Sequence, residues 1–315
     1  MRIFVTGGAG FIGSHFIRYI LGTYPDYEVI NVDKLTYAGN LDNCGDFEKN
    51  KHYSFVKADI SNASLMDKLA ADCDAIINFA AETHVDRSIA DSKDFLTSNV
   101  LGTQVLLEAA RKHKHQRYIQ ISTDEVYGDI EEGRFTENSP LKPSSPYSAS
   151  KAAADLLCLS YFRTHKTPVI ISRCSNNYGP YQYPEKLVPF FIKKLLAGEK
   201  VPVYGDGSNI RDWLHVTDHC RAVDKILHHG KIGEVYNVGA NEEHANLDIT
   251  KRLLEILKLK EDRIEWVADR PGHDVRYALD ATKLITELGW KPEVDFESGF
   301  KETVEWYKNK FKIEN

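Results

Sequence analysis

The chain is short of several things, and each absence excludes a class. Its 315 residues contain no apolar run near the ~18 residues a membrane helix requires. The opening Met1-Arg2-Ile3-Phe4-Val5-Thr6-Gly7-Gly8 breaks at glycines before a secretory apolar core could form. No membrane partner is expected, and the chain reads as soluble and cytoplasmic. Basic blocks are also missing. Forty Lys and Arg face 46 Asp and Glu, a net charge of −6. The densest basic run, Arg111-Lys112-His113-Lys114-His115, reads as a helix end, where cations suit the dipole. Nucleic acid is therefore not an expected partner. The five cysteines are odd in number and contain no C-x-x-C pair, and the twelve histidines form no H-E-x-x-H pattern. Neither a disulfide framework nor a metal site is expected. There is no repeat or low-complexity tract, and with 42% apolar and 27% charged residues the composition excludes collagen, coiled coil and gross disorder. What remains is one large domain or two packed ones.

Within those bounds the first 175 residues alternate two textures. Short apolar runs at 3–5, 29–32, 53–56, 75–79, 118–121 and 169–172 read as strands covered on both faces. Helical stretches near 11–22, 64–72, 92–114 and 146–165 lie between them. Strand and helix in alternation predict an α/β Rossmann-type doubly wound parallel sheet. After residue 175 turn formers and aromatics dominate, as in Asn176-Asn177-Tyr178-Gly179-Pro180-Tyr181-Gln182-Tyr183-Pro184. Helices are expected at 186–198, 215–229, 247–258, 281–288 and 298–311, with a strand at 234–238. The predicted division is a nucleotide-binding domain of 1–175 plus 212–240. A smaller, mostly helical substrate lobe takes 176–211 and 241–315.

Gly7-Gly8-Ala9-Gly10-Phe11-Ile12-Gly13 follows the first strand and opens the first helix. Glycines there allow a tight turn and close approach to a pyrophosphate, with the helix N-terminus supplying N–H donors. Asp33 ends the second strand, where a carboxylate binds a ribose diol and repels a 2′-phosphate. That favours NAD over NADP. Asp59-Ile60 follows the third strand, where an adenine edge would lie.

Two further motifs carry chemistry. Tyr147-Ser148-Ala149-Ser150-Lys151 sets a phenol and an ammonium one helical turn apart, and the cation is expected to lower the phenol's pKa. Tyr53 and Lys57 have the same spacing but fall in a strand, which sends the two groups apart. Thr123-Asp124-Glu125 lies at the C-terminal end of the fifth strand, the edge where such sheets bind ligands. On a continuing strand the two carboxylates would diverge, so the backbone must turn for both to reach one site. Confined together, one would keep its proton while the other stays ionised, giving an acid beside a base.

These motifs, with Leu35 to Asn40, Ala80 to Ser88, Asn176 to Leu187, Asn209 to Trp213 and Asp269 to Asp274, resemble the extended short-chain dehydrogenase/reductase family. Within it they resemble the dTDP-glucose 4,6-dehydratases, over nearly the whole chain. The resemblance implies NAD as cofactor, dTDP-glucose as the nucleotide-sugar partner, and a homodimer formed by the helices near 92–114 and 146–165. It implies Tyr147 and Lys151 for C4 oxidation, Thr123 on the sugar, and Glu125 as base and Asp124 as acid for loss of water across C5 and C6. Cofactor positions would be Gly7, Gly10, Phe11, Ile12, Gly13, Asp33, Lys34, Leu35, Thr36, Asp59, Ile60, Phe79, Ala80, Ala81, Thr83, Ser98, Tyr147, Lys151 and Asn177. Substrate positions would be Thr83, Thr123, Asn176, Lys186, Leu187, Pro202, Val203, Tyr204, Arg211, Asn246, Asp269, Arg270, Pro271, Gly272 and His273. The alternatives on the same scaffold are a UDP-glucose 4,6-dehydratase, a sugar-nucleotide 4-epimerase or a decarboxylase. The last two have no use for the Asp124-Glu125 pair. A turnover-free NAD-binding protein is the rival from outside enzymology.

Overall fold

Runs such as Ile3-Phe4-Val5 and Ala75-Ile76-Ile77 have no polar face to offer water, so they fold only where helices cover both sides. The computed structural model describes residues 1–269 and 274–313. Its strands are β1 (Arg2–Thr6), β2 (Glu28–Asp33), β3 (Tyr53–Lys57), β4 (Ala75–Asn78), β5 (Arg117–Thr123), β6 (Val169–Cys174), β7 (Asn176–Tyr178), β8 (Val201–Tyr204), β9 (Ile210–His215), β10 (Val235–Val238), β11 (Glu243–Ala245) and β12 (Ile264–Val267). Seven of them form one parallel sheet in the order β10-β6-β5-β4-β1-β2-β3. Strand order reverses between β1 and β4, which opens a crevice at their C-terminal ends. On one face of the sheet the helices Phe11–Thr23 and Val216–His229 close a core around Phe16, Ile20 and Val223. On the other, Ala63–Ala70, Thr103–His113 and Pro146–His165 close one around Phe4, Leu106 and Tyr118.

Three local features depart from expectation. The stretch 92–114 is not one α-helix: it runs as Lys93–Phe95, a π-helical Leu96–Gly102, and Thr103–His113. The second lobe is not only helical. It carries a three-stranded sheet, β11-β9-β7, and a two-stranded one, β12-β8. Around them the helices Leu187–Leu196, Asn246–Ile256 and Phe296–Ile313 bury Tyr178, Phe191, Leu253 and Phe300. Finally, 212–215 lies in β9 of the small sheet, so only the helix Val216–His229 and β10 of the 212–240 segment join the large one.

Candidate active site

The cradle at the switch point follows from backbone sterics. Gly7 has φ +72°, and a Cβ on it would sit 2.6 Å from the Ala80 nitrogen; a Cβ on Gly13 would sit 2.3 Å from the Gly7 carbonyl oxygen. Only glycine lets this turn pack so closely. No side chain caps the helix that starts after Gly10, so its first N–H groups and the positive end of its dipole are left for an anion. These features fit the pyrophosphate of a dinucleotide. Asp33 accepts hydrogen bonds from the Ala9 (3.0 Å) and Leu35 (2.8 Å) N–H groups, which hold its carboxylate at the cleft edge. Burial pushes the Asp33 pKa up, and those two donors oppose the shift. Lys34 is tied to Asp59 at 2.8 Å.

One cleft is lined by Gly7, Gly10, Phe11, Ile12, Gly13, Asp33, Lys34, Thr36, Asp59, Ile60, Phe79, Ala80, Ala81, Thr83, Ser98, Tyr147, Lys151 and Asn177, together with Thr123, Asp124 and Glu125. Leu35 is not on this wall. Its φ of +56° turns its N–H back onto Asp33, so its part is to hold that carboxylate. The Asn177 amide is engaged within the protein: it donates to the Ser175 carbonyl (3.0 Å), and its oxygen meets His219 Nδ1 (2.9 Å). The π-helical turn has a visible use. It carries Ser98 to the wall and sets Asn99 to bond the Glu82 backbone at both N–H and C=O (2.9 and 3.0 Å), which fixes the loop after β4.

The two carboxylates converge because the chain leaves β5 in a 3₁₀ turn, Asp124–Val126. The Thr123 hydroxyl organises the turn, donating to Asp124 Oδ1 (3.1 Å) and accepting from the Glu125 N–H (3.3 Å). Asp124 is 2% exposed. Burial first, and the Glu125 charge second, push its carboxyl up to about 8, against the Thr123 hydrogen bond. Its Oδ2 has no hydrogen-bond partner among the described residues.

Tyr147 and Lys151 share a face of the helix Pro146–His165, which begins with a Ser145–Ser148 capping box and Pro146 at its first position. The expected cation-assisted phenol is not what the polypeptide alone presents. Burial, then Glu125, push the Tyr147 phenol well above its usual range, and the Thr123 side chain is the hydrogen-bond partner that opposes this. The Lys151 ammonium donates to the Ile121 carbonyl at 2.6 Å, and its own pKa is lowered by burial. Tyr53 and Lys57 lie in β3, as their strand spacing requires.

A second cleft opens between the lobes. Thr83, Asn176, Lys186, Leu187, Pro202, Val203, Tyr204, Arg211 and Asn246 line it, with Glu125, Glu185, Asp274 and Tyr277. Thr83, Glu125, Asn176, Glu185 and Lys186 belong to both clefts, which therefore run into each other beside the acid pair. Arg211 is latched to the Ile210 (2.7 Å) and Asp274 (3.0 Å) carbonyls and lies 4.3 Å over the Tyr277 ring, so its planar charge is held in place. Lys186 donates to the Thr83 carbonyl at 3.0 Å. Of the predicted substrate positions, Thr123 lines only the first cleft. Asp269 lines neither, packing instead against Gly205. Arg270, Pro271, Gly272 and His273 lie outside the described residues.

Sequence reasoning missed Glu82, Glu185 and Tyr277. The signals were there: Glu185 adjoins Lys186, and Tyr277 stands three residues past Asp274. It also missed the partner of Glu185: the Arg87 guanidinium lies 3.8 Å over the Tyr37 ring and bonds Glu185 at 3.2 Å. No His, Cys, Asp and Glu cluster among the described residues could hold a metal.

A switch-point cradle joined to a Tyr/Lys helix and an acid pair defines a dinucleotide-linked enzyme of the short-chain dehydrogenase type. The chain belongs to the GDP-mannose 4,6 dehydratase family, whose model matches residues 4–303. It is 53% identical over 313 residues to the dTDP-glucose 4,6-dehydratase of Streptomyces niveus, covering 98% of this chain and 93% of that one. The low-salt glycan biosynthesis protein Agl12 of Haloferax volcanii is 53% identical over 307 residues, 98% of each chain. The crystal structure of the Streptomyces venezuelae dTDP-glucose 4,6-dehydratase, with NAD and dTDP bound, superposes with a TM-score of 0.97. Its identity is 49%, over 99% of this chain and 98% of that one.

Proposed function

We propose that this protein converts dTDP-glucose to dTDP-4-keto-6-deoxyglucose by C4 oxidation, elimination of water across C5 and C6, and C6 reduction, with NAD returned to its starting state. The observation that carries this reading is Glu125 on the wall of both clefts with Asp124 buried beside it, where burial and the Glu125 charge push its carboxyl up to about 8. An epimerase on this fold would have no use for a buried carboxylic acid next to a carboxylate. Relatives at 48–53% identity over the whole chain carry this activity.

The side chains divide the work. Tyr147 takes the proton from the sugar's O4, and Thr123, on the same wall, hydrogen-bonds the sugar. Lys151, fixed by the Ile121 carbonyl at 2.6 Å, would hold the cofactor's ribose and place a positive charge near the phenol. NAD, when bound, supplies the hydride acceptor and donor, and its cationic ring favours the ionised phenol that the polypeptide alone disfavours. The 4-ketone acidifies C5; Glu125 removes that proton, and Asp124 gives its own to the departing C6 hydroxyl. Gly7 to Gly13 would hold the pyrophosphate and Asp33 the ribose, while Arg211 would clamp the sugar nucleotide's diphosphate.

Residues 1–175, with the helix Val216–His229 and β10, act as the NAD-binding part; 176–215 and 241–315 act as the sugar-nucleotide part. Among the described residues no helix is long and apolar enough to cross a membrane. All five cysteines are free thiols, which suits a cytoplasmic enzyme. Leu96, Leu101 and Leu156 expose about half of their surface on adjoining helices, which supports a homodimer. The direct test of the activity is parallel incubation with dTDP- and UDP-glucose, reading kcat/KM and product mass. Loss of one water from dTDP-glucose supports the reading; return of both substrates unchanged, or a 4-epimer of equal mass, overturns it.

A further inference from the structure

Below the floor of the joined clefts runs a buried polar chain that the reaction as described does not use. Asp155 accepts from Arg173 Nε at 2.8 Å, with the two side chains 0% and 3% exposed. Arg173 also donates to the Tyr127 hydroxyl at 2.8 Å, and that hydroxyl donates to Asn237 Oδ1, again at 2.8 Å. Asn237 ends the chain on the Phe135 carbonyl at 3.0 Å. None of these four side chains lines either cleft. A buried ion pair is weak as a source of stability, because desolvating the charges offsets their attraction; where it is retained, it can specify geometry.

Its placement says which geometry. Asp155 is one turn beyond Lys151 and two beyond Tyr147 on the same helix. Tyr127 closes the 3₁₀ turn that carries Asp124 and Glu125, its N–H donating to the Asp124 carbonyl at 3.0 Å. Arg173 lies on β6, paired in register with Ser122 of β5 on one side and Asn237 of β10 on the other. One continuous set of hydrogen bonds thus joins the helix of the oxidation pair to the turn of the elimination pair. We propose that the Tyr127 hydroxyl is a positioning group that holds the Asp124-Glu125 turn in register with the Tyr147-Lys151 helix through Arg173 and Asp155. This rests on the dehydratase reading and deepens it. The two half-reactions act on neighbouring carbons of one hexose, so a small relative shift of turn and helix would leave C4 oxidation aligned and spoil proton removal at C5.

Tyr127→Phe tests this, since the ring stays stacked on Phe135 (4.9 Å) and only the hydroxyl is lost. The expected result is a kcat for dehydration lower by about ten- to a hundred-fold, with KM and NAD affinity within about two-fold. Reduced nicotinamide, seen by its near-ultraviolet absorbance after rapid mixing, should accumulate because oxidation outruns elimination. Solvent deuterium entry at C5 should slow in parallel. If dehydration and oxidation fall together with the melting temperature, or kcat is unchanged with no accumulation, the proposal is wrong. Asn237→Ser removes the hydroxyl's acceptor while leaving Arg173 on it, and carries the same expectation at smaller size. An unaltered balance of the half-reactions in a well-folded Asn237→Ser protein is equally fatal. A wild-type protein that leaves dTDP-glucose intact overturns the dehydratase reading itself, and the inference with it. That outcome is distinct from an active wild type with an unaffected variant.

Discussion

Asp124 carries its proton across the neutral range because water cannot reach it and Glu125 stands beside it. In the proposed elimination Asp124 is the acid and works only while protonated, so kcat should fall as pH rises through about 8, and a kcat–pH profile reads this directly. The same shift acts on stability with a definite sign. In the unfolded chain an aspartate ionises at about 3.9, so between there and about 8 the folded state binds the extra proton and loses stability as pH rises. Asp124→Asn removes that loss. It should abolish dehydration yet melt higher than wild type near neutral pH, with the gap closing toward pH ~4. A variant that melts lower at every pH would mean the carboxyl is not a stored cost of function. Glu125→Gln addresses the partner base: deuterium from solvent should no longer enter C5, as read by mass spectrometry. Continued incorporation would remove Glu125 from that role.

At the scale of elements, the glycine turn and the helix behind it make one device. Gly13→Ala places a Cβ 2.3 Å from the Gly7 carbonyl oxygen, which the turn cannot absorb without moving its N–H groups. NAD affinity should fall by about ten-fold or more, a loss of ~1.4 kcal/mol or greater, measured by calorimetric titration against wild type. Unchanged affinity would mean that the turn is not the pyrophosphate cradle. This turn was legible in the sequence because glycine spacing reports backbone sterics directly. β1, β2, β4, β5 and β6 were legible for a related reason, since continuous β-branched and apolar runs leave only a covered strand as their fold; β3 was read as a strand but not as what it is, the sheet's edge, with none of its residues buried. β7, β8, β11 and β12 were not legible. They span three or four residues each, too few for a period to show, and their pairing is fixed by contacts distant in sequence. Nor was the π-helical Leu96–Gly102, since its seven residues are too few for an i→i+5 period to be told from an i→i+4 one. The acid pair was half legible: the need for a turn after Thr123 could be argued, but not that a threonine hydroxyl would hold it.

At the scale of the whole molecule, the site exists only because two clefts built by different lobes share a wall at Thr83, Glu125, Asn176, Glu185 and Lys186. A hexose at that junction can meet the cofactor with one face while its nucleotide lies along the second cleft toward Arg211 and Asn246. Binding and chemistry are then separable by position. Arg211→Ala should raise KM for dTDP-glucose by about ten- to a hundred-fold, the size of a lost charge-assisted contact, and leave NAD affinity unchanged. Arg211→Lys should recover only part of the loss, because the latch to the Ile210 and Asp274 carbonyls and the stack on Tyr277 use a planar, many-donor head. The same charge also reaches the chemistry, since Arg211 is among the groups that pull the Asp124 pKa down. Its removal should therefore move the alkaline limb of the kcat profile upward, in the direction opposite to a general loss of integrity. Steady-state kinetics at several pH values separate the two effects. A variant whose KM is unchanged while NAD binding fails would show that the second cleft does not hold the nucleotide.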